Sequence, residues 1–489
     1  MTGGWRRRVT RTLAFAMAVA TVGWGGVAVA GKWRIVPSFS FEEAVDDNVR
    51  AAPRGQEEAD IVSRGSSGLS IRGQGGGVSL NLDYSLNRLN YLDNTDLNEF
   101  RQSLAAQGSA ELIRDRLVIE GQGSIAQQFV NPQAAVTGSQ INGNSNLTTV
   151  QTYNLTPVYR QHFGRWADLE ARVRLTQTFG GSGGGQSLAD STAEAGTVTV
   201  NAGRAFTNLT WGLTLAQDRT SDSGGGSTVD SYRGTLDLQY RFSPSYAVIG
   251  TLGTETINDN SLNNPPSGLF WTAGLQLDPG PRTSLRVTYG NRFDTNDLQF
   301  DLTYRVGAKT TLTASYTETI QRSSQQLANQ LSDLTVDPNG NLIVASTGLP
   351  FVPGDPNFGV SNNAFRERNF TMSLAGSRGR SSFTAQTFVQ NRKTDATGGD
   401  ETVIGGSASL SRALTRKASA SVNLSFTNTD FGTADGRKDN LFTASLSYSY
   451  LLVGGLSASL SYTFSNRAST VDVNELRENV ATLRVTKSF

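Results

Sequence analysis

From Leu441 to Leu452 the chain reads LFTASLSYSYLL, and from Phe442 to Tyr450 its residues sort by parity. Phe442, Ala444, Leu446, Tyr448, Tyr450 and Leu452 fall on one side, and Thr443, Ser445, Ser447 and Ser449 on the other. After Gly454-Gly455 the alternation resumes, with Leu456, Ala458, Leu460, Tyr462 and Phe464 set against Ser457, Ser459, Ser461, Thr463 and Ser465. Leu298, Phe300, Leu302, Tyr304 and Val306 alternate with polar residues in the same way, as do Val78, Leu80, Leu82, Tyr84 and Leu86. Successive side chains of a strand point to opposite faces, so each such segment predicts a strand with one apolar and one wetted face.

Soluble sheets alternate too, but three features separate this chain from them. The segments run about 10 to 15 residues, against about 5 to 6 for a soluble strand and about 9 to 11 for a tilted membrane strand. The polar face carries full charges: Asp168, Glu170, Arg172 and Arg174 share one face of one segment, and Asp237 and Arg241 share one face of another. Such side chains are almost never fully buried unless paired, so that face meets water. Aromatic residues recur near segment ends (Tyr240, Phe293, Tyr450 and Phe464), as in the girdles of membrane barrels.

The joints alternate as well. Tight ones fall at Gln74–Gly77, Ile113–Asp115, Gly164-Arg165, Ser243–Ser245, Pro279–Pro281, Gly307–Lys309, Ser377–Arg380, Thr415-Arg416 and Gly454-Gly455. Between them lie longer polar joints at 43–58, 131–146, 180–191, 221–227, 258–267 and 323–364. Short turns at one end and long loops at the other define an outer-membrane barrel with periplasmic turns. Unpaired strand edges in hydrocarbon cost several kcal/mol per group, which forces closure. The expected fold is therefore all-β: a transmembrane up-and-down antiparallel β-barrel of about 22 strands. Weak segments such as Ala193–Gly203 leave a range of 18 to 22.

Composition narrows the chemistry. The 489 residues include no Cys and a single His, His162, which excludes thiol catalysis, disulfides, Cys-ligated metals and histidine clusters. The formal charge is +1, but the first 30 residues hold Arg6, Arg7, Arg8, Arg11 and no acid, so the remainder carries 39 basic against 42 acidic residues. That balance gives no electrostatic case for nucleic acid. The same 30 residues form a basic start, an apolar run from Leu13 to about Val22 and an Ala28-Val29-Ala30 ending, the pattern of a signal peptide cleaved after Ala30. Residues 31–489 are then one barrel in the bacterial outer membrane. At the other end Leu483, Val485 and Phe489 share the lipid-facing parity, the signature of a C-terminal strand recognised by the barrel assembly machinery. Lys487, in the same register, departs from it and is expected to snorkel to the interface.

The region after Ala30 reads WRIVPSFSFEEAVDDNV (Trp33 to Val49), then Asp60-Ile61-Val62, then GLSIRGQGGGVSLNLDYSL (Gly68 to Leu86). A first strand with Trp33 and Pro37, a DNV joint and a Gly-rich first turn resemble the outer-membrane β-barrel family associated with PEP-CTERM/exosortase systems and exopolysaccharide loci. The likeness is strongest over residues 33 to 130. It implies a setting of polysaccharide synthesis and export, with export components as partners, and supplies no catalytic residues.

Candidate catalytic groups have bland alternatives. His162 would need an orienting acid and a nucleophile, and the sequence shows neither beside it. Asp168 and Glu170 stand two apart, a pair of carboxylates such as a glycosidase uses, but Arg172 and Arg174 follow on the same face, and charge pairing explains all four. Asp337-Pro338-Asn339-Gly340-Asn341 opens like a calcium loop, yet Leu342 occupies the glycine position and Gly348 the place of the closing Glu. The Gly-rich stretches Gly180–Ser187 and Asp222–Ser227 lack the Lys of a phosphate loop. No catalytic residue, metal or cofactor is expected.

Barrels of about 22 strands enclose a lumen wide enough to leak unless plugged, and no plug domain precedes the first strand. The expected function is a pore associated with exopolysaccharide export, with a general diffusion porin or a non-conducting surface scaffold as alternatives. Asp83, Asp168, Glu170, Arg172, Arg174, Asp237, Arg241, Arg286, Arg292, Asp301 and Arg305 are the expected pore-lining residues. Their mixed signs predict weak ion selectivity, and the Ser, Thr, Asn and Gln around them suit a neutral hydrated polymer. The joint 323–364, with its apolar Leu342-Ile343-Val344 and Leu349–Val352, is the expected constriction across the mouth.

Overall fold

A computed structural model describes residues 31–139, 141–223, 228–259, 267–292, 295–321, 326, 334–336, 342–344, 365–393, 400–433 and 435–489. The expected signal peptide with Ala28 and Ala30, the aromatic Phe293, the calcium-like stretch 337–341 and most of the joint 323–364 lie outside them.

Twenty-two strands form one sheet, from Lys32–Asp46 through to Leu476–Ser488, each antiparallel to its sequence neighbours. The last strand pairs back onto the first from Ser38↔Ser488 to Asp46↔Val480, closing the cylinder. Residues directly opposed across a ladder share a face. Carried round all the strands, this parity returns Arg484 opposite Glu42 on the face from which it set out. The weak segment near Ala193 is a full strand, Ser191–Ala202, paired on both sides.

One face is apolar and exposed: Ile35 is 61% accessible, Leu446 53% and Leu269 81%. Such a band over a closed sheet is sustainable only in lipid. The tight turns lie at the end that carries Lys32 and Ser488, and the long joints at the other. In the two-residue turn after Gly75 and the four-residue joint after Leu451, paired glycines adopt left-handed φ (59° and 80° at Gly76 and Gly77, 69° and 77° at Gly454 and Gly455), a conformation that residues with a Cβ rarely take. A turn at 203–208 belongs to the same end and hydrogen-bonds the neighbouring turn through Gly203 N–H to the Trp166 carbonyl at 2.8 Å. At the long end Arg292 pairs directly with Thr295, which breaks the simple length rule.

At the seam the terminal strand is tied down twice. Glu42, 3% exposed on the inner face, accepts Arg64 and Arg484, each at 2.5 Å. On the outer face Phe489 meets Phe39 edge-on at 6.2 Å between ring centres. Lys487 donates its ammonium to the Gly454 carbonyl and lies 5.3 Å over the Phe489 ring, so this lysine caps a turn.

Candidate functional site: the lumen and its mouth

All eleven expected pore-lining residues fall on the inner parity, and most are engaged across strands. Arg72 holds Asp83 at 2.5 Å. Arg160 holds Glu170 at 2.9 Å, and Arg172 reaches Glu170 at 3.3 Å and Glu120 at 3.4 Å. Arg292 bridges to Glu255 at 3.0 Å, Asp237 accepts the Thr251 hydroxyl at 2.5 Å, and Arg241 donates to the Pro244 carbonyl at 3.2 Å. Arg286 stands opposite Asp301 in register. Arg174 and Arg305 are exposed on the same face. These residues lie on strands from Val78–Tyr91 to Thr295–Gly307, an arc of more than half the circumference.

The remaining arc is chemically different. On Asp400–Ala413, Ala418–Asp430, Lys438–Leu451 and Leu456–Ser469, the inward positions below the mouth are nearly all Ser, Thr or Asn. Their hydroxyls bond across strands: Ser419 with Ser449 at 2.7 Å, Ser421 with Ser447 at 2.6 Å and Ser409 with Asn423 at 2.7 Å. Neighbouring strands lie about 4.8 Å apart, so these groups tile the wall as a lattice.

The mouth holds a device that the alternation pattern did not disclose. The joint 131–146, between strands Leu117–Phe129 and Leu147–Phe163, turns inward and crosses to strands on the far side of the seam. Arg467, on Leu456–Ser469, donates to the carbonyls of Pro132 (2.8 Å) and Ala134, and Arg437 to that of Gln133 at 2.7 Å, while both arginines grip Asp439. Gly138 N–H donates to Ser465 Oγ at 2.9 Å, and the Asn142 side-chain amide donates to the fully buried Glu478 at 3.1 Å. Nearer home, Arg101 donates to the Asn142 carbonyl and Tyr91 to that of Ile141, each at 2.7 Å. Ile141 packs in a cluster with Ala44, Val49, Val62, Leu89, Tyr91 and Val480.

A buried loop must satisfy its own backbone, and asparagines do so here. Asn146 Nδ2 donates to the carbonyls of Asn131 (2.7 Å) and Ala135 (2.9 Å), and Asn144 Nδ2 also donates to Ala135 at 2.8 Å. The joint 180–190 braces the loop from the side, with Asn131 Nδ2 donating to the Gly184 carbonyl at 2.8 Å. Above, Arg50 joins the joints 47–59 and 92–98. It donates to Asp96 at 2.8 Å and Glu58 at 3.0 Å, and the Asp96 hydrogen bond is the main reason its guanidinium pKa rises above its ordinary value.

The expected constriction, 323–364, contributes what its described residues show. A hairpin of Leu334–Val336 and Leu342–Val344 lies against the strand Glu99–Ile113, which stands diametrically across the barrel from the strands that flank this joint.

One sequence expectation needs correction. His162 does have an acid beside it: its Nδ1 lies 2.6 Å from Asp168 Oδ1, because the two strands pair these residues directly. Both are exposed inside the tight-turn end, and the hydrogen bonds found there join His162 to no hydroxyl.

No known family model matches the sequence, and no curated protein matches it. Solved structures with a similar fold include the ferric-catecholate import receptor Fiu of E. coli K12 (TM-score 0.50, 9% identity, 92% of this chain and 81% of that one). The siderophore receptor PirA of Acinetobacter baumannii gives a TM-score of 0.48 at 12% identity, over 93% of this chain and 80% of that one. OprD of Pseudomonas aeruginosa gives 0.34 at 12% identity, over 93% and 95%. At these identities the likeness is one of fold. The protein is an outer-membrane β-barrel.

Proposed function

We propose that this barrel is a passive outer-membrane pore, a general diffusion porin whose mouth its own 131–146 loop narrows. The observation that carries the reading is a continuous water-facing wall inside a sealed cylinder, with charged side chains such as Arg174 and Arg305 left open to the lumen. A non-conducting scaffold has no need of them. The loop is anchored by side chains from four strands and one joint and fills part of the cross-section, as a size filter would. The reading is non-enzymatic: the His162–Asp168 pair has an acid and a base but no nucleophile among its hydrogen-bonded neighbours.

Planar-bilayer recording tests it. Wild-type barrels should open stable ohmic channels, and replacing residues 133–145 by a short Gly-Ser linker should raise unit conductance severalfold. Silence from both proteins would favour the scaffold. A second reading, passage of exopolysaccharide as part of a PEP-CTERM/exosortase system, draws support from the hydroxyl lattice and from the resemblance of residues 33 to 130. It predicts polymer retained in the periplasm of a deletion strain; normal secretion would remove it. Insertion by the barrel assembly machinery through Leu483, Val485 and Phe489 is part of the same proposal, and Phe489→Ala should slow assembly.

A further inference from the structure

Below the folded-in loop, the charged arc contains a recess of ≈ 420 Å³ in the lumen wall. That is within the range of small-molecule sites, about 300 to 1,000 Å³. Its lining is almost wholly polar, with Arg172 and Arg174 on one side, Asn81, Gln107 and Gln122 on the other, and Asn154 between; its one carboxylate, Glu120, is held by Arg172 at 3.4 Å.

The two arginines differ. Arg172 is committed, though loosely, to Glu120 and Glu170. Arg174 is opposed in register by Ala195, which offers it nothing, and no carboxylate comes within ion-pair distance of it among the described residues. Asp218, two strands away, lies in line beyond Ala195. Asn154 carries a buried side-chain oxygen with no hydrogen-bond partner, in the lining of the same recess. The recess thus offers one uncommitted guanidinium fork and several amides and hydroxyls able both to donate and to accept. The first matches a carboxylate, because a guanidinium binds one through two parallel hydrogen bonds. The rest match adjacent sugar hydroxyls, each a donor and an acceptor.

We infer that this recess binds a sugar acid of the hexuronate class, its carboxylate on Arg174 and its hydroxyls on Asn154 and the facing amides. The inference rests on the pore reading for its meaning: it makes the lumen a path for acidic sugars, with the hydroxyl lattice across from the recess as the second surface.

Titration calorimetry on the detergent-solubilised barrel, using sodium glucuronate, glucose and acetate as separate probes, tests binding without asking for conductance. Glucuronate should bind at least tenfold more tightly than either glucose or acetate, because only it uses both halves of the site. Arg174→Gln should weaken glucuronate about tenfold, one charge-assisted contact at 1.4 kcal/mol per decade, and leave glucose unchanged. Arg174→Lys, which keeps the charge without the fork, should fall between them. A strand-dominated far-UV spectrum identical to wild type shows that each variant has folded. Equal affinities for the three probes, or an Arg174→Gln barrel that binds glucuronate as wild type does, would overturn the site. Glucuronate binding by a barrel that passes no current would leave the site standing and remove the pore. Current through a barrel that treats the three probes alike would do the reverse.

Discussion

The inside of this barrel is built from two walls that solve one problem with different chemistry. Strands from Val78–Tyr91 to Thr295–Gly307 face the lumen with ions, and those from Asp400–Ala413 to Leu456–Ser469 face it with hydroxyls. Both walls alternate with an apolar lipid face; the hydroxyl wall pairs strand by strand without a register shift, whereas the charged wall absorbs shifts beside its tight turns at Glu111/Ile113, Arg241/Ser243, Leu277/Gly280 and Arg305/Gly307. Closure therefore needs only polarity on the wet side, and the Ser419–Ser449 and Ser421–Ser447 contacts supply cross-strand bonding as regularly as Arg72–Asp83 does. The ions do something that closure does not require. Many neutralise one another across strands; a few, Arg174 foremost, are left over, and these can act on what passes.

The largest effect should come from crossing between faces at adjacent positions of one strand. Leu446 sits on the lipid face midway between Phe442 and Tyr450, and Ser447 is its neighbour on the hydroxyl wall. Leu446→Lys should cost about 3 kcal/mol, the depth-dependent penalty for a cation near the bilayer midplane. Ser447→Lys should cost less than about 1 kcal/mol, because its ammonium stays in lumen water. Urea unfolding in lipid vesicles measures both. Similar costs at the two positions would mean that this wall is not wet.

Next in size is the seam, where an ion on the wet face does bear on closure. Glu42→Gln would leave Arg64 and Arg484, 14% and 17% exposed, without their shared carboxylate. Breaking a fully buried pair costs about 3 to 5 kcal/mol; with water near both arginines, about 2 kcal/mol is expected. The same substitution at the looser Glu170, 38% exposed, should cost under about 1 kcal/mol. If the two variants unfold alike, the seam pair is one more rung of the charged arc and not a clasp.

How much of this was legible in the sequence follows from where alternation rules. From Phe442 to Tyr450 the parity of every residue could be read directly, because one face meets lipid and the other water over that span. The eleven expected pore-lining residues share the inner parity for the same reason, as side chains too costly to place in hydrocarbon. The in-folded loop was not, since NPQAAVTGSQINGNSN is as polar as any exposed joint. Its asparagines serve the backbone of a buried segment, and composition cannot distinguish that from solvation. A signal did exist on the walls. Val62, Leu89 and Val480 occupy wet-parity positions at the mouth end of their strands, and such lapses imply that something apolar, here Ile141, covers them. His162 and Asp168, six apart, met only through a register that the turn at Gly164 sets.

The smallest effect is the one that tests the hydroxyl wall on its own terms. Removing one partner of a buried hydrogen bond strands the other, but removing both is nearly neutral. Ser421 and Ser447 bond to each other at 2.6 Å on a half-buried surface that lumen water reaches. Ser421→Ala and Ser447→Ala should each cost about 0.5 kcal/mol, and the double variant no more than either alone, since water replaces whichever hydroxyl is lost. A coupling energy above about 1 kcal/mol in this double-mutant cycle would show that the hydroxyl lattice is dry and holds the wall together. Its likeness to the charged arc would then be structural, and a role in solute passage would belong to the charged arc alone.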